Sequence, residues 1–216
     1  MNIAIDAGNS RIKWGVHDGT GWLDSGVLAT ADVAWLSEAA DEWPADARVM
    51  VCNVAGSEVA ATLSALLAGR HARVSFLHAS AEACAVRNTY EFPGQLGADR
   101  WAALIGARAL LEHACLVVCA GTATTVDLLD ADGVFRGGLI LPGFDLMRAA
   151  LADNTAQLPL ADGVFRSEPR NTMDAIVSGC LQAQLGAVER MFAAIATAPG
   201  ARCLLTGGAA APLAAH

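Results

Sequence analysis

The sequence predicts an α/β fold: mixed β-sheets flanked by helices, arranged as two similar halves. Three observations predict it. Short apolar strands alternate with segments of helical spacing, which favours a partly parallel sheet with helices on its faces. A pattern of strand, glycine-bearing turn, strand and turn opens the chain and recurs from Cys115 onward. Finally, 216 residues that are 54% hydrophobic and only 17% charged can bury a sizeable core, which excludes wholesale disorder. At roughly 150 residues per domain the length fits one large domain or two small ones. The boundary is placed between 1–97 and 98–216.

Met1-Asn2-Ile3-Ala4-Ile5-Asp6 reads as a strand ending in a polar residue. Ala7-Gly8-Asn9-Ser10 is a turn, residues 12–16 resume an apolar strand, and Asp18-Gly19-Thr20-Gly21 turns again, so the first thirty residues form a meander. Residues 32–42 carry helical spacing (Val33, Leu36, Ala40) that Pro44 stops. Residues 49–54 are a buried strand. Ser57 caps a helix to 68 that Gly69 ends, and residues 74–77 are a short strand.

Residues 88–97 are looser and contain Tyr90, Phe92, Pro93 and Gly94; a helix over 98–113 follows. Residues 115–119 are an apolar strand, Ala120-Gly121-Thr122 a turn, and 124–129 the returning strand, with Asp132-Gly133 as the next turn. Superposing Gly8 on Gly121 therefore aligns the two halves. Residues 137–143, Gly-Gly-Leu-Ile-Leu-Pro-Gly, read as a close-packed loop before a helix over 144–157. A loop with Pro159 and Pro169 precedes a helix over 171–196, and residues 202–206 form a strand ending at Gly207-Gly208. The hexapeptide Ala-Asp-Gly-Val-Phe-Arg occurs at 131–136 and again at 161–166. One copy falls at a hairpin turn and the other in a loop, and these different contexts favour coincidence over duplication.

Lys and Arg number 14 against 22 Asp and Glu, a net charge of −8. That balance excludes a nucleic-acid or anionic-membrane surface, which needs a basic footprint. It leaves an anionic small ligand open, because a few local donors override a global charge. Arg11 is the first basic side chain, so the amino terminus lacks the charged flank of a signal peptide, and charges at Arg100, Arg108 and Glu112 interrupt the apolar run before Cys115. Six cysteines without a Cys-x-x-Cys pair read as buried thiols in a reducing cytoplasm. The five histidines do not cluster at metal-ligand spacing and read as surface or lightly buried residues.

Three small-residue turns after three apolar strands carry the candidate chemistry. In the first, 6–13, Gly8 lets backbone approach a ligand, successive amides suit phosphate oxygens, Asn9 and Ser10 add hydrogen-bonding groups and Lys13 a cation. Asp6 at the strand end has the oxygen ligands that Mg²⁺ takes. The second, Gly121-Thr122-Ala123-Thr124-Thr125, is rich in hydroxyls, and Thr206-Gly207-Gly208 is the third. A facing pair of such hairpins would grip a nucleotide's phosphates from both sides. At the helix start Gly97-Ala98-Asp99-Arg100, Asp99 either sits favourably at the positive helix end or accepts a proton from a substrate hydroxyl, with Arg100 holding a carboxylate or phosphate. No Gly-x-x-x-x-Gly-Lys-Ser/Thr loop, Gly-x-Gly-x-x-Gly fingerprint or Gly-x-Ser-x-Gly elbow is present.

Taken in order, these motifs resemble those of the type III pantothenate kinases, in the sugar kinase, heat-shock chaperone and actin superfamily. The carriers are 6–13, Tyr90-Glu91-Phe92-Pro93, 97–100, 121–125, 137–143 and Asn171-Thr172. The resemblance implies two ribonuclease-H-like halves with a nucleotide cleft between them. It implies that Asp6, Ala7, Gly8, Asn9, Ser10, Arg11, Ile12 and Lys13 bind ATP, with Thr122 touching its phosphates. It assigns Tyr90, Gly97, Ala98, Asp99, Arg100 and Thr172 to pantothenate and makes Asp99 the proton acceptor. It further implies a cytoplasmic homodimer that takes the first step toward coenzyme A with ATP, Mg²⁺ and a monovalent cation, K⁺ or NH₄⁺. Two departures stand out. Family members carry Asp two residues before the second Gly-Thr, where it binds potassium; here that position is Cys119. They also extend beyond the Gly-Gly turn, so a truncated carboxyl-terminal tail is expected. The competing readings are a non-catalytic nucleotide-binding regulator of the same fold and a sugar kinase of the same superfamily.

Overall fold

The computed structural model describes residues 1–71 and 73–216. The chain divides into two compact units, Met1–Ser80 with Phe92–Ala102, and Ala81–Glu91 with Ala103–His216. The boundary expected at 97/98 falls in the stretch where the chain passes between them: 81–91 belong to the second unit and 92–102 to the first.

In the first unit, β1 (Asn2–Ala7), β2 (Arg11–His17) and β3 (Trp22–Ala29) form the expected meander. A 3-10 turn over Thr30–Trp35 runs into α1 (Leu36–Asp41), followed by β4 (Arg48–Asn53), α2 (Ser57–Leu67) and β5 (Arg73–Phe76). The sheet order is β3-β2-β1-β4-β5, antiparallel through the meander and parallel from β1 to β4 and β4 to β5. Alternation sorts the strands. Ile3, Ile5 and Ala7 of β1 and Val49 and Val51 of β4 are buried on one face with Leu36, Leu63 and Leu67 of the helices, while Asn2, Ala4 and Asp6 face outward. The unit also holds a short 3-10 turn, Pro93–Gln95.

The second unit repeats this order. α3 (Ala98–Leu110) begins in the first unit and continues into the second, and β8 (Cys115–Ala120), β9 (Ala123–Leu129) and β10 (Val134–Pro142) make the second meander. Ahead of α3 in the chain lie β6 (Glu82–Ala83) and β7 (Val86–Asn88). α4 (Phe144–Asn154), α5 (Thr172–Phe192), β11 (Arg202–Thr206) and α6 (Ala210–Ala214) complete the unit. The sheet runs β11-β8-β9-β10-β7-β6, so β11 lies parallel beside β8 as β4 does beside β1. Leu116, Val118, Val126 and Leu128 of the sheet are buried with Val188, Met191 and Phe192 of α5 packed against them.

Several expectations need correcting. The stretch 137–143 is not a loop: Gly137 to Pro142 lie in β10, paired with β9. Gly137 takes a bulge there at φ +116°, and beyond it Leu139-Ile140-Leu141 pairs as an ordinary strand. In place of one helix over 32–42, a 3-10 turn over Thr30–Trp35, kinked at Asp32 (φ −100°, ψ 22°), leads into α1 from Leu36 to Asp41. Gly56, not Ser57, caps α2: leaving β4 requires φ +97°, and Asn53 donates its amide to the Gly56 carbonyl at 2.9 Å. α3, α4 and α5 each end earlier than expected, with the end of α5 passing into a looser turn. The hairpin of β6 and β7 was not expected, since its turn residues Cys84 and Ala85 adopt φ of +50° and +61° without glycine or asparagine; α6 was likewise unexpected. None of the six cysteines is in a disulfide, but Cys84 and Cys203 are exposed rather than buried. His71 is buried rather than superficial, its Nδ1 3.2 Å from the Pro44 carbonyl.

The packing makes a direct claim on stability. Ile5→Ala should cost about 2–5 kcal/mol in denaturant unfolding, because the fully enclosed side chain leaves a cavity under the first sheet. Val27→Ala, on an exposed face of β3, should stay within about 0.5 kcal/mol of the unaltered protein.

Candidate active site

In the first unit the turn after β1 is built by backbone. The Gly8 amide donates to the Arg11 carbonyl at 3.0 Å, and the Thr30 hydroxyl donates to the Gly8 carbonyl at 2.7 Å. The Thr30 amide donates to the Ser10 carbonyl at 3.1 Å, so the segment after β3 braces the turn from behind. Ala7 and Ile12 are fully buried and offer a ligand no side chain; Asn9, Arg11 and Lys13 are exposed. Asp6 closes β1 opposite Lys13 on β2 and beside Cys52 on β4.

Asp99 joins this corner from the first turn of α3. Partial loss of water pushes the Asp6 carboxyl above its usual range; Lys13 pulls it down and the Asp99 charge pushes it up again. The Cys52 thiol is pushed up to about 12 by burial and by the charges of Asp6 and Asp99, so it stays protonated. Two carboxylates and a neutral thiol thus share one patch. Asp99 is exposed, and its Oδ1 accepts the Arg100 backbone amide at 2.7 Å. Gly97 is required by this conformer: a Cβ there would lie 2.5 Å from the Asp99 carboxylate. Arg100 is only 5% exposed and interacts within the protein.

The second unit builds the hydroxyl-rich turn in the same way. The Gly121 amide donates to the Ala123 carbonyl at 3.0 Å, and the Gly143 amide donates to the Thr122 carbonyl at 2.8 Å. A Cβ on Gly143 would overlap the Gly121 and Thr122 carbonyls, and one on Gly207 would overlap Ala120. The turn is therefore wedged between two glycines whose importance the sequence only hinted at. Thr122 is exposed at its tip. Thr124 is buried and donates its hydroxyl to Gln184 Oε1 at 2.9 Å, a tether from α5 that no sequence motif announces. Tyr90 stacks at 5.4 Å on Phe135, and its amide donates to Asn88 Oδ1 at 3.1 Å. Thr172 is the exposed first residue of α5, capped by Asn171, whose Oδ1 accepts the Asp174 amide.

The structure therefore brings Asp6, the 8–13 turn, Gly97 and Asp99 together within the first unit. Thr122, Tyr90 and Thr172 belong to the second, each on its own element. Cys119 closes β8 where Asp6 closes β1, with Thr125 and Thr206 as its register neighbours. The Thr125 hydroxyl is buried without a hydrogen-bond partner.

Accessible oxygen donors suit a hard divalent ion at Asp6 and Asp99, and the mutual repulsion of these carboxylates is relieved by a cation. The set at 119 differs: a half-buried thiol with two threonines as register neighbours is a poor match for a hard alkali cation. Among the described residues no group of three or more His, Cys, Asp or Glu could hold a metal ion by itself.

Each unit is a meander whose first strand ends in a glycine turn and has a parallel strand on its other side, in a fold of the sugar kinase, heat-shock chaperone and actin class. A 2-dehydro-3-deoxygalactonokinase protein from Sinorhizobium meliloti is similar over 99% of this chain and 89% of its own, with a TM-score of 0.60 at 18% identity. A Baf family transcriptional activator from Campylobacter jejuni is similar over 99% and 86%, with a TM-score of 0.63 at 21% identity. The model of the type III pantothenate kinase family matches residues 2–194. The type III pantothenate kinase of Aromatoleum aromaticum is 61% identical over 213 residues, 99% of this chain and 88% of that one. The chain belongs to the type III pantothenate kinase family.

Because the carboxylate of Asp99 occupies the space a side chain at 97 would need, Gly97→Ala should displace it without unfolding the helix. Turnover should fall by up to about 10²-fold, the scale set by misplacing a reacting group by an ångström. Circular dichroism and thermal melting should be nearly unchanged; a large loss of melting temperature would assign Gly97 to folding instead.

Proposed function

We propose that the protein transfers the γ-phosphoryl group of ATP to the hydroxyl of pantothenate, giving 4'-phosphopantothenate. It is an ATP-dependent pantothenate kinase by family, and the observation that carries the residue roles is the exposed Asp99 carboxylate. That carboxylate is held by the Arg100 amide and lies within electrostatic reach of Asp6. Phosphoryl transfer asks little covalent chemistry of a protein. It asks for an aligned alcohol, a place for its proton and compensation of phosphate charge. Asp99 accepts the hydroxyl proton of pantothenate. Gly97, Ala98 and Arg100 bind that substrate together with Tyr90 and Thr172. The 6–13 turn offers amides and Lys13 to ATP phosphates, and Thr122 offers its hydroxyl.

Mg²⁺, held by Asp6, supplies charge neutralisation of the phosphates when bound. The same reading places the protein in the cytoplasm, as a homodimer, at the first committed step toward coenzyme A. Among the described residues no helix is long and apolar enough to cross a membrane. A non-catalytic regulator has only Cys119 in its favour and leaves the Asp6 and Asp99 pair unused. A sugar kinase leaves the Tyr90 and 97–100 stretches unexplained.

The decisive test is ADP release measured with pantothenate, with a panel of sugars and with no acceptor, for the unaltered protein and for Asp99→Asn. Release should require pantothenate, and the variant should lose about 10²-fold or more in kcat while binding ATP normally. Near-normal turnover of Asp99→Asn would refute the proton-acceptor role.

Cys119 makes a second expectation. With a thiol where relatives carry a carboxylate, activation by potassium should be weak or absent in a comparison of K⁺, NH₄⁺, Na⁺ and a bulky organic cation at constant ionic strength. Cys119→Asp should raise the cation dependence. Strong potassium activation of the unaltered protein would mean that other oxygens form the site.

A further inference from the structure

The two copies of Ala-Asp-Gly-Val-Phe-Arg lie in different settings, a β-turn between β9 and β10 and a loop before α5, yet they make the same local contacts. In the first, the Val134 amide donates to Asp130 Oδ1 at 2.8 Å and Arg136 Nε pairs with Asp130 Oδ2 at 2.7 Å. In the second, the Val164 amide donates to Asp174 Oδ1 at 2.9 Å and Arg166 Nε lies 4.0 Å from Asp174 Oδ2. Each glycine sits where backbone must pass close. A Cβ on Gly133 would overlap the Ala85 carbonyl, and one on Gly163 would lie 2.5 Å from the Met173 carbonyl. The hexapeptide is a carboxylate clamp: valine amide on one oxygen, arginine facing the other, glycine admitting the neighbour.

In the first copy the clamped carboxylate is four to six residues away and closes a turn. In the second it belongs to α5, two residues after Thr172. The loop is stapled there by further bonds. The Arg166 amide donates to the buried Ser178 hydroxyl at 2.9 Å, and Arg148 donates to the carbonyl of fully buried Ala161. On the helix side, Asn171 Nδ2 donates to Asp174 Oδ2 at 2.9 Å while Asn171 Oδ1 caps the Asp174 amide. The Val164 and Asn171 bonds hold the Asp174 carboxyl below its usual range, so the clamp is charged at neutral pH. One aspartate thus locks the cap residue before Thr172, the helical turn that contains it and the loop lying on that turn.

We infer that Asp174, gripped by Val164 and Arg166, is a positioning residue for pantothenate recognition, fixing the hydroxyl of Thr172 at the start of α5. This rests on the reading that Thr172 contacts pantothenate. A hydroxyl on the first residue of a helix is useful to a substrate only if the helix end does not fray, and recognition geometry tolerates about half an ångström. The test compares steady-state kinetics of Asp174→Asn, Ser178→Ala, Thr172→Ala and Asp130→Asn, with melting temperatures alongside. Asp174→Asn should raise KM for pantothenate about tenfold, the scale of one charge-assisted hydrogen bond, with KM for ATP unchanged. Ser178→Ala, a milder loosening of the same loop, should shift the same constant in the same direction. Asp130→Asn breaks the identical clamp at the β-turn and should leave both KM values alone. Unchanged pantothenate KM in Asp174→Asn beside a raised value in Thr172→Ala would overturn the inference. So would an equal rise in Asp130→Asn. An unaltered KM in Thr172→Ala would overturn the underlying assignment of Thr172, and the inference with it.

Discussion

One backbone hydrogen bond, made once in each unit, organises the rest. The carbonyl of the last residue of each meander's first strand accepts the amide that leads the chain into the next helix. Val54 donates to Ala7 at 2.9 Å, and Ala209 donates to Ala120 at 3.0 Å. The bond holds the end of the parallel neighbour, β4 or β11, level with the end of β1 or β8. The glycine turn that follows the first strand is then flanked by a second small-residue turn entering a helix. Carboxyl ends of strands collect unpaired amides, and successive amides in a turn bind anions. The arrangement readies each turn for phosphate before any side chain is counted.

Around those turns, space is as informative as contact. Gly143 and Gly207 lie so close to Ala120, Gly121 and Thr122 that no side chain fits at either position. Gly97 leaves the gap into which the Asp99 carboxylate folds back onto the Arg100 amide. Hydrogen bonds locate these polar groups, while the glycines leave the space beside them free of side chains. The charges follow. Burial and the Asp99 charge raise the Asp6 carboxyl, Lys13 offsets part of it, and Cys52 beside them is kept neutral.

The halves are alike in topology but not in chemistry. Asp6 and Cys119 occupy corresponding strand ends, so the first unit presents a carboxylate where the second presents a thiol. A repeated scaffold thus carries different side chains, and with them different chemistry, at the same geometric point. The repeated hexapeptide carries the same lesson at smaller scale. In both, a valine amide donates to an aspartate carboxylate, closing a β-turn in one place and bracing a helix start in the other.

Much of this was legible in the sequence. Apolar alternation over 1–6 and an apolar run over 115–119, with a glycine turn after each, determined both meanders and their repeat, because apolar patterning and turn-forming residues are local properties. Asp6 and Asp99 could be singled out by their places at a strand end and a helix start, whereas the roles of Thr122 and Thr172 rested on the family resemblance. Relations between distant segments were not legible. Nothing near Gly143 or Gly207 says that each packs on the turn at 120–122. Gln184 looks like any mid-helix glutamine until Thr124 is found 2.9 Å away. The 137–143 stretch reads as a loop because three glycines and a proline suggest one, yet pairing with β9 draws most of it into a strand. Local sequence determined which segments are strands, turns and helices. Only the tertiary structure decided which backbone may come within touching distance of which, since that depends on excluded volume and hydrogen-bond partners contributed by residues far along the chain.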